Sequence, residues 1–369
     1  MKKIKNLLLA SSFAVLGLVG MTACQGESKL KVDVFFYDYS DTYIASVRAS
    51  MTTQLDALSD SITYTFYDGG SNQATQTTQI DTAITQGSDM LIVNIVTTGS
   101  DETAQGIVDA AEEAKIPLIF FNREVSDTVV ESYDDCIFVG TDADEAGVMQ
   151  GEMIADWLQE GTNAADADVD GDHKIDYLMF RGELGNAEAF GRTYWSVKTA
   201  NDQLAAASSL YSLQASVANS TDSTQPADGI SPFYLYGNWS AATATNLMGT
   251  ALSAHPDFET DGSIEMIIAN NDDQALGAIE ALNEENYNTG AANGAFVPVF
   301  GVDATAVAKA AIADGKMVGT IKQDNVAMAT GIVDFADDFI AGTSFDLTGY
   351  NVDTGVNKVR IPYAIYLGE

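Results

Sequence analysis

The stretch "VDVFFYDYSDTYIASVRASMTTQLDALSDSITYTFYD" (32–68) sets the architecture. It opens on an apolar run, "VDVFFY" (32–37), with its acidic turn directly behind. The next segment spaces Ile44, Val47, Met51, Leu55 and Leu58 at three- and four-residue intervals, which marks one face of a helix. A second strand-like run, "ITYTFYD" (62–68), closes the unit. Two strands joined through a helix of that length pair in parallel. Parallel sheets are covered on both faces, so their strands read as nearly unbroken apolar runs.

The unit recurs along the chain. The helix "QATQTTQIDTAITQG", the strand "MLIVNIV" (90–96), the helix "DETAQGIVDAAEEAK" and the strand "IPLIFFN" (116–122) follow in turn. The pattern restarts with "CIFVG", a helix over 144–158, "IDYLMF", "FYLY", "SIEMIIAN", a helix over 272–284 and "FVPVFGVD". This alternation predicts an α/β chain with two doubly wound parallel-sheet domains. A length of 369 residues, 46% of them apolar, is sufficient for two cores. Segment 205–232, rich in Ala, Ser, Asp and Thr without periodicity, is expected to be a surface loop of the second domain.

The first 23 residues form a separate element. Lys2, Lys3 and Lys5 precede an apolar run over 7–19, and Met21-Thr22-Ala23 leads into Cys24. This is the layout of a signal peptide, too short for a membrane span. Cys24 at the cleavage point resembles a lipobox cysteine and is the expected lipidation site, on a linker over 24–30. Loss of 1–23 removes three lysines and no acid, taking the formal charge from −36 to −39. A field that negative excludes nucleic acid and anionic membrane surfaces as partners. Cys136, within "CIFVG", is expected to be a buried small hydrophobe.

In a doubly wound fold, ligands bind in the crevice outside the carboxyl ends of the strands. Asp41 and Tyr43 lie just past the first strand, and Asn94 lies within "LIVNIV". Asn186, Glu188 and Arg192 occupy "RGELGNAEAFGR", while Trp239, Asn271, Asp303 and Gln323 follow later strands. The set combines planar hydrogen-bonding groups with two aromatics. A sugar demands that combination, because each hydroxyl both donates and accepts and the apolar ring face packs on an aromatic plane. Only two histidines are present, and there is no P-loop, nucleophile elbow or zinc motif, so an enzyme is disfavoured.

The stretch "DVDGDHKID" (168–176) holds four carboxylates, Asp168, Asp170, Asp172 and Asp176, at positions 1, 3, 5 and 9 of a calcium loop. Lys174 takes position 7, where a backbone carbonyl suffices. His173 stands at position 6 in place of Gly, and Met179 at position 12 in place of the bidentate Glu.

The segments "YDYSDTY", "LIVNIV", "FFNRE", "IFVGTDADEAG", "RGELGNAEAFGR", "IEMIIANNDDQALGAIEAL", "VPVFGVDA" and "VRIPY" together resemble the galactose/glucose-binding proteins. These are type I periplasmic sugar-binding proteins that feed ABC transporters, and the likeness runs from about residue 31 to 363. It implies two lobes joined by a three-segment hinge near Arg123, Gln323 and Arg360. The lobes would be 31–123 with 323–360, and 124–322 with 361–369. It implies one monosaccharide held by Asp41, Tyr43, Asn94, Asn186, Glu188, Arg192, Trp239, Asn271, Asp303 and Gln323, with Tyr43 and Trp239 sandwiching the ring.

Four of those positions depart from the family. Tyr43 replaces a common Phe, Asn186 a His, Glu188 an Asp and Gln323 an Asn, which leaves the hexose and its anomer open. The resemblance also implies a distant closing ligand for structural calcium, and Glu265 stands at that position. An effector domain of a sugar-responsive regulator would need a basic DNA-binding N-terminus, which a signal segment and strong negative charge exclude. A membrane-tethered sugar receptor acting in signalling or chemotaxis, without a transport role, shares all these features with a transport protein, as does a binder of another pyranose or of a pentose.

Overall fold

The computed structural model describes residues 29–216, 234–290, 295–342 and 345–368. The signal segment and Cys24 lie outside them, as does most of 205–232. The strands, in chain order, are β1 (Leu30–Phe36), β2 (Ile62–Asp68), β3 (Met90–Val93), β4 (Leu118–Phe121), β5 (Cys136–Gly140), β6 (Lys174–Arg181) and β7 (Ser212–Ala215). They continue with β8 (Leu235–Tyr236), β9 (Met266–Ala269), β10 (Val299–Asp303), β11 (Gly319–Lys322), β12 (Lys358–Arg360) and β13 (Ala364–Tyr366).

Two sheets result, ordered β12-β5-β4-β3-β1-β2 and β13-β11-β10-β9-β6-β7, with β8 also on β6. All pairs within them are parallel except β11 with β13. The opening stretch shows why. Along β1, Phe36 packs with Ile44, Val47, Met51 and Leu55 of the helix Thr42–Ala57. Phe35, pointing the other way, packs with Leu91, Val93 and Val108. Both strand faces are dry, which is what the nearly unbroken apolar run predicts, and Asp33 is buried with them.

One expected boundary moves. β5 pairs with β4 and β12, in register Ile119↔Ile137 and Val139↔Val359, so it belongs to the first sheet. The first lobe therefore runs to Gly140, and the chain crosses at 141–142 and not near Arg123. A five-residue strand buried on both faces carries no mark of which sheet it joins. The other two crossings fall at 323–324, between β11 and the helix Asn325–Ile340, and at 361–363, between β12 and β13.

The loop expected over 205–232 also changes at its start. Ala205 and Ala206 complete the helix Ala187–Ala206, and β7 adds to the edge of the second sheet along β6. Only Leu213 of β7 is buried, and four residues are too few to display a period.

Candidate functional site

The strand ends of both lobes face one cleft, and the local chain chemistry fixes the side chains there. Asp41, Asn186 and Asn271 are each the N-cap of the helix that follows their strand. One oxygen of each accepts a backbone N–H, from Ile44 (2.7 Å), Ala189 (2.8 Å) and Gln274 (3.0 Å) respectively. The cap bond fixes each side chain at the cleft, and second bonds steady two of them: Asp41 Oδ2 accepts the Tyr37 hydroxyl (2.6 Å) and Asn271 Nδ2 donates to the Trp239 carbonyl (3.2 Å).

The cleft encloses a cavity lined by nine of the ten expected positions: Asp41, Tyr43, Asn186, Glu188, Arg192, Trp239, Asn271, Asp303 and Gln323. Asn94 does not line it. The side chain is fully buried, accepts from the Tyr37 N–H (3.3 Å) and donates to the Phe121 carbonyl (3.0 Å) and to Asn122 Oδ1 (3.2 Å). It clamps the ends of β1 and β4 together from behind the wall.

Four further liners, Tyr37, Ile44, Asn122 and Arg123, were not expected. Their signal was present, since Tyr37 directly follows β1 and Asn122 and Arg123 directly follow β4. The strand-end rule covered these three, while Ile44 lies within the helix Thr42–Ala57.

Arg192 sits at the centre. Its guanidinium donates to the Asn270 carbonyl (2.9 Å), to Gln323 Oε1 (3.3 Å) and to the Tyr363 hydroxyl (3.1 Å), and Asp303 lies 3.7 Å away. Tyr363 bonds in turn to Thr141 Oγ1 at 2.7 Å. One cleft side chain is thus tied to all three crossings. Burial pushes the Asp303 carboxyl well above the usual carboxylate range, with Arg192 pulling the other way. Burial, then Glu124, raises the Glu188 carboxyl. Burial, then Asp303, lifts the Tyr43 hydroxyl well above its ordinary value, which keeps it a donor.

Backbone strain gathers at the same place. Trp239 adopts φ 63° and Asp303 φ 120°, conformations that cost a side-chain-bearing residue about 1–3 kcal/mol each and that cluster at ligand sites. The Trp239 ring lies so close over Gly182 that a Cβ there would come within 2.3 Å of it. Four buried polar atoms of the lining, Arg123 Nε, Glu188 Oε2, Arg192 Nε and Gln323 Nε2, have no partner within the protein. Such atoms cost ~1–3 kcal/mol apiece unless a ligand satisfies them.

The acidic loop lies elsewhere in the second lobe. Carboxylate oxygens of Asp168, Asp170 and Glu265 come within 4.8 Å of one another. Glu265 spans the loop, accepting the Val169 N–H (2.6 Å) and the Asp176 N–H (2.9 Å). His173 takes φ 66°, so it makes the left-handed turn that position 6 requires. Asp172 accepts the Lys174 N–H at 2.6 Å, and Asp176 takes Gln214 at 3.2 Å; neither belongs to the tight group of three.

Two α/β lobes, three crossings and a polar cleft between the strand ends define a solute-binding protein, not an enzyme. The chain belongs to the periplasmic binding protein family, whose domain matches residues 32–344. That membership places it outside the cytoplasm. It is 28% identical over 362 residues to the D-galactose/methyl-galactoside binding periplasmic protein of Haemophilus influenzae, covering 97% of this chain and 96% of that one. It is 29% identical over 300 residues to a putative rhizopine-binding protein of Rhizobium meliloti, covering 81% and 80%. An ABC transporter solute-binding protein of Bacillus halodurans, solved with myo-inositol, has the same fold at a TM-score of 0.68 and 22% identity, over 92% of this chain and 94% of that one.

Proposed function

We propose that the chain captures one pyranose monosaccharide, galactose or glucose, between its lobes and delivers it to the permease of an ABC transporter. The observation that carries this reading is the set of buried, unpartnered polar atoms on Arg123, Glu188, Arg192 and Gln323, converging on a cavity with Trp239 and Tyr43 in its wall. Sugar hydroxyls both donate and accept, so one ring can satisfy donors and acceptors together. Trp239 and Tyr43 supply the apolar faces for the ring. The D-galactose/methyl-galactoside binding of the Haemophilus influenzae relative favours a hexose. Arg192 links ligand to hinge, since the same guanidinium meets Gln323 and Tyr363 in two crossings and reaches Thr141 through Tyr363.

Calorimetric titration of the mature protein against hexoses, pentoses and inositols tests this. One galactose or glucose per chain is expected, and binding of a pentose or inositol in preference to both would overturn the hexose assignment. Anchoring through a lipid on Cys24 is part of the same reading; a Cys24→Ser protein that stays on the membrane would sink it.

The acidic loop fits a hard cation. Its donors are all oxygens, three of its carboxylates (Asp168, Asp170 and Glu265) meet within 4.8 Å, and His173 has accepted the turn. Asp168, Asp170, Asp172, Asp176, Glu265 and the Lys174 carbonyl would hold calcium there. Bound calcium would supply positive charge that ties the loop to Glu265 at the foot of β9, a structural role.

A further inference from the structure

The turn that carries Asp303 into the cleft is held from beneath by a residue that does not line the cavity. Asp303 (φ 120°) and Ala304 (φ 54°) are consecutive side-chain-bearing residues at positive φ. Such a pair persists only where its surroundings over-determine it. Asp303 closes β10, and Ala304 leads into Thr305, the N-cap of the helix Ala306–Ala313.

Asp272 supplies the constraint. It is fully buried at the first position of the helix Asp272–Glu284, outside the cavity wall. Its Oδ2 accepts the Thr305 N–H at 2.7 Å, just past the strained pair. Its Oδ1 accepts the hydroxyl of Thr320, on β11, at 2.6 Å. That hydroxyl oxygen in turn accepts the Ala304 N–H at 3.3 Å. The two backbone N–H groups that follow Asp303 are therefore fixed, one by Asp272 directly and one through Thr320. Helix capping does not account for Asp272, since Asn271 already caps that helix and both Asp272 oxygens bond outside it. The strand makes room for the carboxyl as well. A Cβ at Gly301 would lie 2.5 Å from Asp272 Oδ1, so a side chain there would displace it.

We infer that Asp272, with Thr320 as its intermediary, is a positioning residue for sugar capture: it holds the strained 303–304 turn so that the Asp303 carboxyl stands beside Arg192 before the ligand arrives. This rests on the sugar reading of the cleft. Asp303 Oδ1 lies 3.7 Å from Arg192 Nη1, and both residues line the cavity. A turn relaxed to ordinary backbone angles would withdraw the carboxyl, and binding would have to restore it. Holding it in place beforehand removes that cost from the binding step.

Two readouts test the inference, one with sugar and one without. In calorimetric titrations with galactose and glucose, Thr320→Val, which lacks the bridging hydroxyl, should bind the sugar that wild type takes about tenfold more weakly. Thr320→Ser keeps that hydroxyl and should return affinity to within about threefold of wild type. Asp272→Asn turns one acceptor into a donor and should also cost about tenfold. Ala304→Gly added to Thr320→Val should recover about threefold, because glycine adopts positive φ without strain. A role confined to packing predicts loss from the serine as well and no recovery from the glycine. Sugar-free crystals of Thr320→Val and Asp272→Asn should show Asp303 or Ala304 at negative φ, with the Asp303 carboxyl withdrawn from Arg192. Wild-type affinity in both variants would overturn the inference, and so would sugar-free structures with the turn unchanged. A wild-type protein that binds neither sugar would overturn the hexose reading instead, and the sugar-free structures would still decide the role of Asp272.

Discussion

The inner cleft and the loop "DVDGDHKID" both gather carboxylates, and they do so in opposite ways. In the cleft, Asp41, Glu188 and Asp303 come from three distant segments and lie among partly unsatisfied donors. In the loop, four acids come from nine consecutive residues, Asp170 and Asp172 are exposed, and only Glu265 arrives from elsewhere. A neutral ligand with many hydroxyls suits the first arrangement, because it answers donors and acceptors without adding charge. A small cation suits the second, because it converts repulsion among the acids into attraction.

Substitutions should separate the two regions. Trp239→Ala should have the largest effect, weakening sugar binding on the order of a hundredfold as stacking area is lost, with the melting temperature nearly unchanged. Titration that shows unaltered affinity would remove Trp239 from the site. Calcium at ~1 mM should act on the other axis, raising the melting temperature by several degrees, because ligand at 100 times its Kd stabilises by ~2.7 kcal/mol. Glu265→Gln should mimic chelation, magnesium should substitute poorly, and sugar affinity should move little. A melting curve indifferent to chelator would show that the loop holds no ion.

Asn94→Ala tests the wall behind the cleft. It should cost ~1–3 kcal/mol of stability, since the Tyr37 N–H loses its acceptor and the Phe121 carbonyl one of its two donors, with a smaller loss of affinity than Trp239→Ala. Denaturant melts and titration together read the split, and an affinity loss as large as that of Trp239→Ala would make Asn94 a direct contact. Gly182→Ala should weaken binding by about tenfold, because the new Cβ displaces the Trp239 ring, while the fold persists. Wild-type affinity in that variant would mean the ring can shift at no cost.

The smallest expected effect is on pH dependence. Burial lifts the Asp272 carboxyl to about 7. The folded chain then keeps a proton that the unfolded chain, with an ordinary carboxyl near ~3.9, has released. The folded state binds more protons in that window, so this group's contribution makes stability fall as pH rises from about 4 to about 7. Asp272→Asn should flatten that part of the curve in thermal melts, and an unchanged slope would assign it to other acids.

Most of the secondary structure was legible because burial on both faces writes itself into unbroken apolar runs such as "MLIV" and "LIFF". The helix Asp272–Glu284 was readable to the residue, since Asn271 caps it. The binding positions were legible as strand ends, and the acidic loop as a spacing. The sequence by itself therefore determined the fold class, the candidate polar residues and the local turn chemistry, all of which depend on neighbours within one turn or one strand. Only the tertiary structure decided which sheet "CIFVG" joins, that Asn94 braces the wall, that Arg192 reaches the crossings, and that Tyr37 and Arg123 line the cleft. Those outcomes depend on contacts between segments up to two hundred or more residues apart, such as Thr141 with Tyr363 and Thr42 with Asp273, which no local pattern encodes.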